Sequence, residues 1–229
     1  MPRRSRSIVG GLVYHVLNRG NARATLFHKP ADFEAFQRVL VEAQEREPLR
    51  LLSYCLMPNH WHFVVWPEAG NDRQVSEFLR WLTVTHTQRW HAHHHTSGYG
   101  HLYQGRFKSF PVESDGHLLT VLRYVERNAL RSGLVRRAED WRWSSLWQRG
   151  SGDAAAGPLL SDWPVACSRH WRAYVNEVET ERELAALRRS VQRGCPYGSE
   201  AWSAEKVREL GLGHTIRAQG RPRKERPSA

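Results

Sequence analysis

The sequence is short of cysteine, of long apolar runs and of acidic residues. Its three cysteines are Cys55, Cys167 and Cys195. They stand far apart and form no CxxC pair, which disfavours a disulfide framework and a structural zinc site. No apolar run reaches the ~18–20 residues of a membrane helix, because His60 and His62 interrupt the longest one. The basic segment 1–7 is not followed by the apolar stretch of a signal peptide. We therefore expect a soluble, cytosolic protein.

The shortage of acidic residues leaves the chain strongly basic. Its 229 residues include 34 Lys and Arg against 23 Asp and Glu, a formal net charge of +11 with a pI near 10.2. Such a protein favours a polyanionic partner, because each neutralised phosphate releases a condensed counterion. A merely basic surface and a membrane-surface binder are the alternatives, but no basic amphipathic helix with a separate apolar face is evident. The composition therefore favours nucleic acid, and a nucleoid-associated location in the cytoplasm.

Hydrophobic periodicity predicts the order β-α-β-β-α-β-α in the first 150 residues. We expect strands at 11–17, 49–57, 60–66 and 102–112, and helices at 32–47, 75–90 and 115–132, with 91–95 in a loop. Neighbouring strands would pair as hairpins, and the helices would cover one face. This is an α+β domain with a mainly antiparallel sheet, of ferredoxin-like or RRM-like type.

Composition divides the chain into residues 1–150 and 151–229. Residues 150–157 are rich in Gly, Ala and Ser, which is typical of a linker. The second part predicts two or three short helices within 163–212 and a basic, flexible tail from about Gly220. We expect the first part to be the functional domain and the second to be a small helical and disordered extension.

His60-Trp61-His62 is the first group of residues that could carry chemistry. In a strand, residues i and i+2 project from the same face, so both imidazoles can reach one cation while Trp61 packs behind them. The alternative is a pair of hydrogen-bonded core histidines. The same spacing recurs at His91, His93 and His95, where a solvated His-rich stretch is the simpler interpretation.

The helix after Asp115 carries the second group. Tyr124 and Asn128 are i, i+4 neighbours beside the apolar stripe of this helix. Alone, they are an ordinary boundary tyrosine with a polar neighbour. Beside a divalent cation held by two histidines, a tyrosine becomes useful for phosphoryl transfer, because the cation polarises the phosphate under attack. A basic protein with such a site is a candidate DNA strand-cleaving enzyme.

Six motifs make this interpretation more specific. They are 14–20 (YHVLNRG), 57–62 (MPNHWH), 103–108 (YQGRFK), 123–128 (RYVERN), 131–135 (RSGLV) and 141–145 (WRWSS). With this set, residues 8–148 resemble the REP-associated tyrosine transposases, relatives of the HUH single-tyrosine transposases of insertion sequences. Relatives usually have Pro at the place of Ala129 and commonly Tyr at the place of Leu146, both outside the chemistry.

The resemblance implies a role for each matching residue. His60, His62 and Asn128 would bind Mg²⁺ or Mn²⁺, and Tyr124 would form a 5′-phosphotyrosine and free a 3′-hydroxyl. The fold would be the HUH version of the antiparallel sheet. The partner would be single-stranded DNA carrying REP-type hairpins, bound by a monomer or homodimer with no membrane involved. Candidate DNA contacts are Arg19, Arg106, Lys108, Arg123, Arg127 and Arg131.

Two other functions are compatible with parts of the pattern. A hairpin DNA- or RNA-binding protein on the same fold could lack the chemistry. The sequence has no aromatic RNP-like strand motif, however, and it keeps the His, His, Tyr and Asn set. Multi-domain relaxases and replication initiators would need a longer chain and usually a different motif order.

Overall fold

The protein is built on a four-stranded sheet in which every strand pairing is antiparallel. The computed structural model describes residues 7–98, 100–152 and 157–217. The strands are β1 (Val13–Arg19), β2 (Arg50–Met57), β3 (His60–Trp66) and β4 (Lys108–Val112). Their order in space is β2-β3-β1-β4, so the predicted α+β class and antiparallel sheet are confirmed.

Helices cover both faces of the sheet, and the prediction that they cover one face is wrong. On the first face, α1 (Pro30–Arg46) and α2 (Gln74–His94) bury an aromatic core that includes Phe36, Trp61 and Phe63. On the second face, α3 (Gly116–Glu126) packs on Leu52 and Val64. The reason is that β2 is apolar on both sides, so leaving either face in water would expose hydrophobic area.

The β1 strand lies at Val13–Arg19, two residues later than the predicted 11–17, and three other element boundaries differ further from the prediction. The α2 helix continues through the expected loop to His94 and ends at His95, which adopts a left-handed conformation with φ of 54°. The β4 strand begins at Lys108 instead of residue 102, and before it Tyr103 forms only an isolated bridge with Gly20. The helix after Asp115 divides at Arg127 into α3 and the short α4 (Asn128–Arg131). Of Ser114 and Asp115, the two residues that could cap this helix, the structure uses Asp115, whose carboxylate accepts a hydrogen bond from the His117 N–H.

The C-terminal part packs closely against the sheet domain. After α5 (Ser145–Ser151) at the end of the first part, its helices are α6 (Trp171–Asn176), α7 (Glu181–Arg193), α8 (Glu200–Glu209) and α9 (Gly213–Ile216). The buried Glu126 carboxylate of α3 accepts hydrogen bonds of 2.7 Å from Ser145 Oγ and Trp171 Nε1, and burial raises its pKa. Much of the predicted linker, and the tail from Gly220, lie outside the described residues. Within the described ranges, none of the helices is long and apolar enough to cross a bilayer.

Candidate functional site

Strand β3 presents His60 and His62 on the same face of the sheet, with their ring centroids 5.0 Å apart. Between them, Trp61 is fully buried in the core on the opposite face. Burial, aided by the positive charges of Arg19 and Arg131, lowers the pKa of His60 to about 4 and that of His62 well below its ordinary value. Both imidazoles are therefore neutral at pH 7, which is the protonation state of a metal ligand.

Each imidazole uses its Nδ1 atom in a hydrogen bond. His60 Nδ1 donates to Asn59 Oδ1 at 2.6 Å, and His62 Nδ1 lies 2.8 Å from His15 Nε2. A histidine that binds a metal characteristically donates its other ring nitrogen to such a partner, which fixes the ring and its tautomer. The arrangement leaves the two Nε2 atoms as the ligand atoms, provided that His62 donates and His15 accepts.

His15 is a site residue that the sequence analysis missed. It lies on β1, is 1% exposed, and stacks on Phe110 with centroids 4.8 Å apart. Burial lowers its pKa to about 3, so it stays neutral and its Nε2 can accept a hydrogen bond from His62 Nδ1. The sequence offered one signal for it, a histidine among the mostly apolar residues of a predicted strand. The structure places this histidine on the same face of the sheet as His62.

Tyr124 lies against these histidines. Its ring centroid is 5.9 Å from that of His62 and 6.3 Å from that of His15, and the side chain is 8% exposed. The Arg131 guanidinium lies 4.1 Å above the Tyr124 ring and donates a hydrogen bond to the Tyr124 carbonyl oxygen. The structure thus brings the predicted nucleophile, a predicted metal ligand and a cation to one place.

Asn128 begins α4, one helical turn after Tyr124, and is 5% exposed. Its Nδ2 atom is buried and has no hydrogen-bond partner within the described chain. A buried amide N–H group without a partner is costly unless an acceptor, such as a phosphate oxygen, satisfies it. As donor types, two neutral imidazole nitrogens and a carboxamide oxygen suit Mg²⁺ or Mn²⁺ and leave positions for phosphate oxygens.

Two other groups of metal-binding residue types lie away from this site. They are Asp32 with His93 and His94, and Glu113 with Asp115 and His117. The Lys29 ammonium lies 3.5 Å from His93 Nε2, and Asp32 Oδ2 already accepts from the His28 N–H. A positive charge at this distance opposes cation binding. Neither group includes His60 or His62, so neither bears on the predicted metal pair.

The predicted DNA-contacting cations separate into two sets. Arg19, Arg106 and Lys108 line a cavity of about 1090 Å³ together with Tyr124, which we call the Tyr124 groove. The other three, Arg123, Arg127 and Arg131, follow one another at four-residue intervals along α3 and α4.

The second set binds the C-terminal segment 174–179 of this chain. Arg123 donates to the Glu177 carbonyl oxygen at 2.7 Å, and Arg127 donates to the carbonyls of residues 175 and 176. Arg131 Nη1 lies 2.9 Å from Glu179 Oε2. Arg123 is 4% exposed. Because these guanidiniums are occupied by the protein itself, the structure gives Arg123 and Arg127 a role in packing, and Arg131 a place beside Tyr124.

Replacing Glu179 with glutamine should test this packing role. Glu179 is 7% exposed and its carboxylate lies between the guanidiniums of Arg127 and Arg131, so its loss leaves two half-buried cations without a counter-charge. We expect the free energy of unfolding, measured by urea denaturation, to fall by about 1–3 kcal/mol. The matched control is Glu177→Gln, whose exposed side chain should matter by less than about 0.5 kcal/mol. Equal effects of the two variants would contradict this role.

Comparison with known proteins places the chain among transposases. A family model described as "Transposase IS200 like" matches residues 8–128, more than half of the chain, and this range contains His60, His62, Tyr124 and Asn128. No curated protein matches this chain.

Two solved structures are similar. The structure of a REP-associated tyrosine transposase bound to a REP hairpin is 18% identical with a TM-score of 0.54, and the match covers 73% of this chain and 93% of that one. A crystal structure from Deinococcus radiodurans R1, assigned as a transposase, is 17% identical with a TM-score of 0.37, covering 55% and 96%. At 18% identity, the first similarity supports the fold alone.

Proposed function

Because this chain belongs to the IS200-like transposase family, a family of nucleic-acid-processing enzymes, we propose that it cleaves and rejoins single-stranded DNA through Tyr124. The reaction depends on a divalent metal, Mg²⁺ or Mn²⁺, held by His60, His62 and Asn128. The observation that carries the proposal is the position of the Tyr124 ring 5.9 Å from the His62 ring. His62 Nδ1 lies 2.8 Å from His15 Nε2, and with His62 as the donor its Nε2 is left as a ligand atom.

Cleavage is a transesterification with balanced bonds. The Tyr124 hydroxyl oxygen attacks the scissile phosphorus and loses its proton, the bond from phosphorus to the 3′ oxygen breaks, and that oxygen takes up a proton as a free 3′-hydroxyl. The 5′ end remains on the protein as a phosphotyrosine. Rejoining is the reverse, with a 3′-hydroxyl displacing the tyrosine, so no energy source is needed.

The chain's own residues position this reaction. The imidazoles of His60 and His62 supply neutral nitrogen ligands, and a metal bound there would neutralise the negative charge that develops on the phosphate. The Arg131 guanidinium packs on the Tyr124 ring and is itself held by the Glu179 carboxylate, which fixes the position of the ring.

We propose REP-type hairpins in single-stranded DNA as the substrate. The similar solved structure contains a REP hairpin, and the net charge of +11 and the cations of the Tyr124 groove support a DNA partner for this chain. The protein would act in the cytoplasm, in association with the nucleoid, as a monomer or homodimer.

The direct test is covalent-adduct formation. The full chain is incubated with 3′-labelled single strands that carry REP-type hairpins, in Mn²⁺ or Mg²⁺ and in EDTA. With metal, the expected result on a denaturing gel is a labelled band at the mobility of the protein, because the DNA is covalently attached. In EDTA this band should be absent. Tight hairpin binding without any adduct, under all metal conditions, would instead favour a catalytically silent hairpin-binding protein.

A further inference from the structure

The Tyr124 groove is built from both parts of the chain. On one side lie the end of β1, the segment before β4 and Tyr124, and on the other lie α7 and the turn that contains Gly211. Its cationic lining residues are Arg19, Arg106, Lys108, Arg188 and Arg193. A wall of this kind, from a segment that the sequence analysis gave no function, suggests that the C-terminal part takes part in binding.

The charges that line the groove are segregated. The protein contains 23 acidic residues, yet none of the described residues that line the groove is Asp or Glu. Five cationic side chains with no carboxylate among the described lining residues give the groove a positive potential, which favours an anionic occupant. The volume of about 1090 Å³ is at the upper end of the range for small-molecule pockets, so it suits a length of chain better than a single small anion.

Helix α7 is held firmly in its place beside the sheet. It begins with a capping box, in which Thr180 and Glu183 exchange hydrogen bonds. Its Leu184 and Leu187 are buried in the core on the second face of the sheet. After its end, Tyr197 exchanges backbone hydrogen bonds of 2.9 and 3.0 Å with residues at the free edge of β4. The wall is therefore a fixed part of the fold and needs no rearrangement to meet a ligand.

We propose that α7 and the segment 210–215 form the second wall of a channel that holds the single-stranded segment next to the scissile phosphate, with Arg188 contacting its backbone. The inference rests on the proposed function and adds a binding segment to it. Arg188 is exposed on α7, and its guanidinium forms no hydrogen bond or ion pair within the described residues. A backbone phosphate supplies the missing counter-charge, and the nearby Tyr124 places that strand at the point of cleavage.

Adjacent arginines on α7 provide a matched pair of variants. Arg188 and Arg189 are both exposed, but only Arg188 lines the groove. Arg188→Glu and Arg189→Glu are therefore equal changes of charge on one helix. Each is made in the full chain with Tyr124→Phe, so that binding is measured without cleavage. Fluorescence anisotropy then compares a hairpin carrying a single-stranded extension with the same hairpin lacking it, at two salt concentrations.

We expect Arg188→Glu to weaken binding of the extended hairpin about five- to tenfold and to reduce the slope of log affinity against log salt by about one. The hairpin without an extension should change less than twofold, and Arg189→Glu should change neither substrate by more than twofold. Arg188→Lys, which keeps the charge, should restore most of the affinity.

Equal losses for the two glutamate variants, or an equal loss for both hairpins with Arg188→Glu, would overturn the channel. Because the assay needs no cleavage, its outcome is separate from that of the adduct experiment. If the protein discriminates between the two hairpins as expected but forms no adduct, the proposed channel is supported and the proposed cleavage reaction is contradicted.

Discussion

Tyr124→Phe should reduce strand cleavage and adduct formation by more than about 10³-fold while changing hairpin affinity less than twofold. The substitution removes only the attacking oxygen, so the phosphotyrosine intermediate cannot form at this position. The ring that packs against His62 and Arg131 is kept. Single-turnover cleavage of a labelled hairpin strand, with anisotropy on the same preparation, measures both quantities.

Tyr103→Phe is the matched control for this experiment. Tyr103 is also a buried tyrosine near β1, but its hydroxyl oxygen accepts from Trp61 Nε1 at 3.2 Å and lies 2.7 Å from His86 Nδ1. Removing that hydroxyl should cost about 1–3 kcal/mol of stability, because two buried groups lose their partner. Cleavage by the folded protein should persist. Cleavage retained by Tyr124→Phe and lost by Tyr103→Phe would assign the nucleophile to Tyr103.

The sheet and the two histidines on β3 could be predicted because their signals are local. Alternation along a strand places His60 and His62 on one face whatever their surroundings, and an Asx residue before an apolar stripe marks the start of α3. The continuation of α2 through His91–His94 could not be read in this way. It depends on the contacts of this last turn, among them Trp90 Nε1 donating to the Leu26 carbonyl oxygen and His91 Nδ1 meeting Thr96 Oγ1.

The arginines of α3 and α4 show where local reasoning reaches its limit. Their four-residue spacing puts them on one helix face, and in a protein of charge +11 a DNA contact is the natural prediction. Their partners are carbonyl oxygens and one carboxylate that follow about 50 residues later in the chain. A DNA-binding row of arginines and a row that packs against a later segment have the same sequence pattern. Only the fold decides which hydrogen-bond acceptors reach the guanidiniums.

His15 was missed for a related reason, and it leads to the second large effect. Its role depends on the pairing of β1 with β3, which sets His15 opposite Val64 and so diagonal to His62. The resulting contact of 2.8 Å between His15 Nε2 and His62 Nδ1 requires one of the two nitrogens to carry the proton, and we assign that proton to His62. With His15 as the acceptor, His62 keeps an unprotonated Nε2, whereas without an acceptor the ring is free to turn and to protonate Nε2 instead.

His15→Ala should therefore weaken Mn²⁺ binding by about 10- to 100-fold, the range typical for loss of a partner behind a metal ligand. His15→Gln, whose amide oxygen can accept the hydrogen bond from His62 Nδ1, should recover part of the Mn²⁺ affinity. His62→Ala should abolish measurable binding. Isothermal titration with Mn²⁺, or the electron paramagnetic resonance signal of free Mn²⁺, reads these affinities directly, independently of strand cleavage.

His86→Ala separates this effect from a general loss of stability. His86 is likewise a buried neutral histidine, with its pKa lowered to about 3 by burial. It lies in the core on the first face of the sheet, where it packs against Tyr103. We expect His86→Ala to destabilise the fold comparably and to leave Mn²⁺ affinity within twofold. A similar fall in affinity for both alanine variants would mean that His15 acts only through folding.

The pH dependence of Mn²⁺ binding follows from the same burial. A histidine exposed to water would lose its ligand form as the pH falls through about 6.5. Because burial lowers the pKa of His60 to about 4, the folded site should keep its affinity from pH 7 to about pH 5 and lose it as the pH approaches 4. Below pH 6.5 the unfolded chain binds more protons than the folded one, so the free energy of unfolding also decreases as the pH is lowered. Circular dichroism at each pH therefore has to accompany the titrations, and a loss of Mn²⁺ centred at pH 6.5 in fully folded protein would contradict the buried, neutral histidine pair.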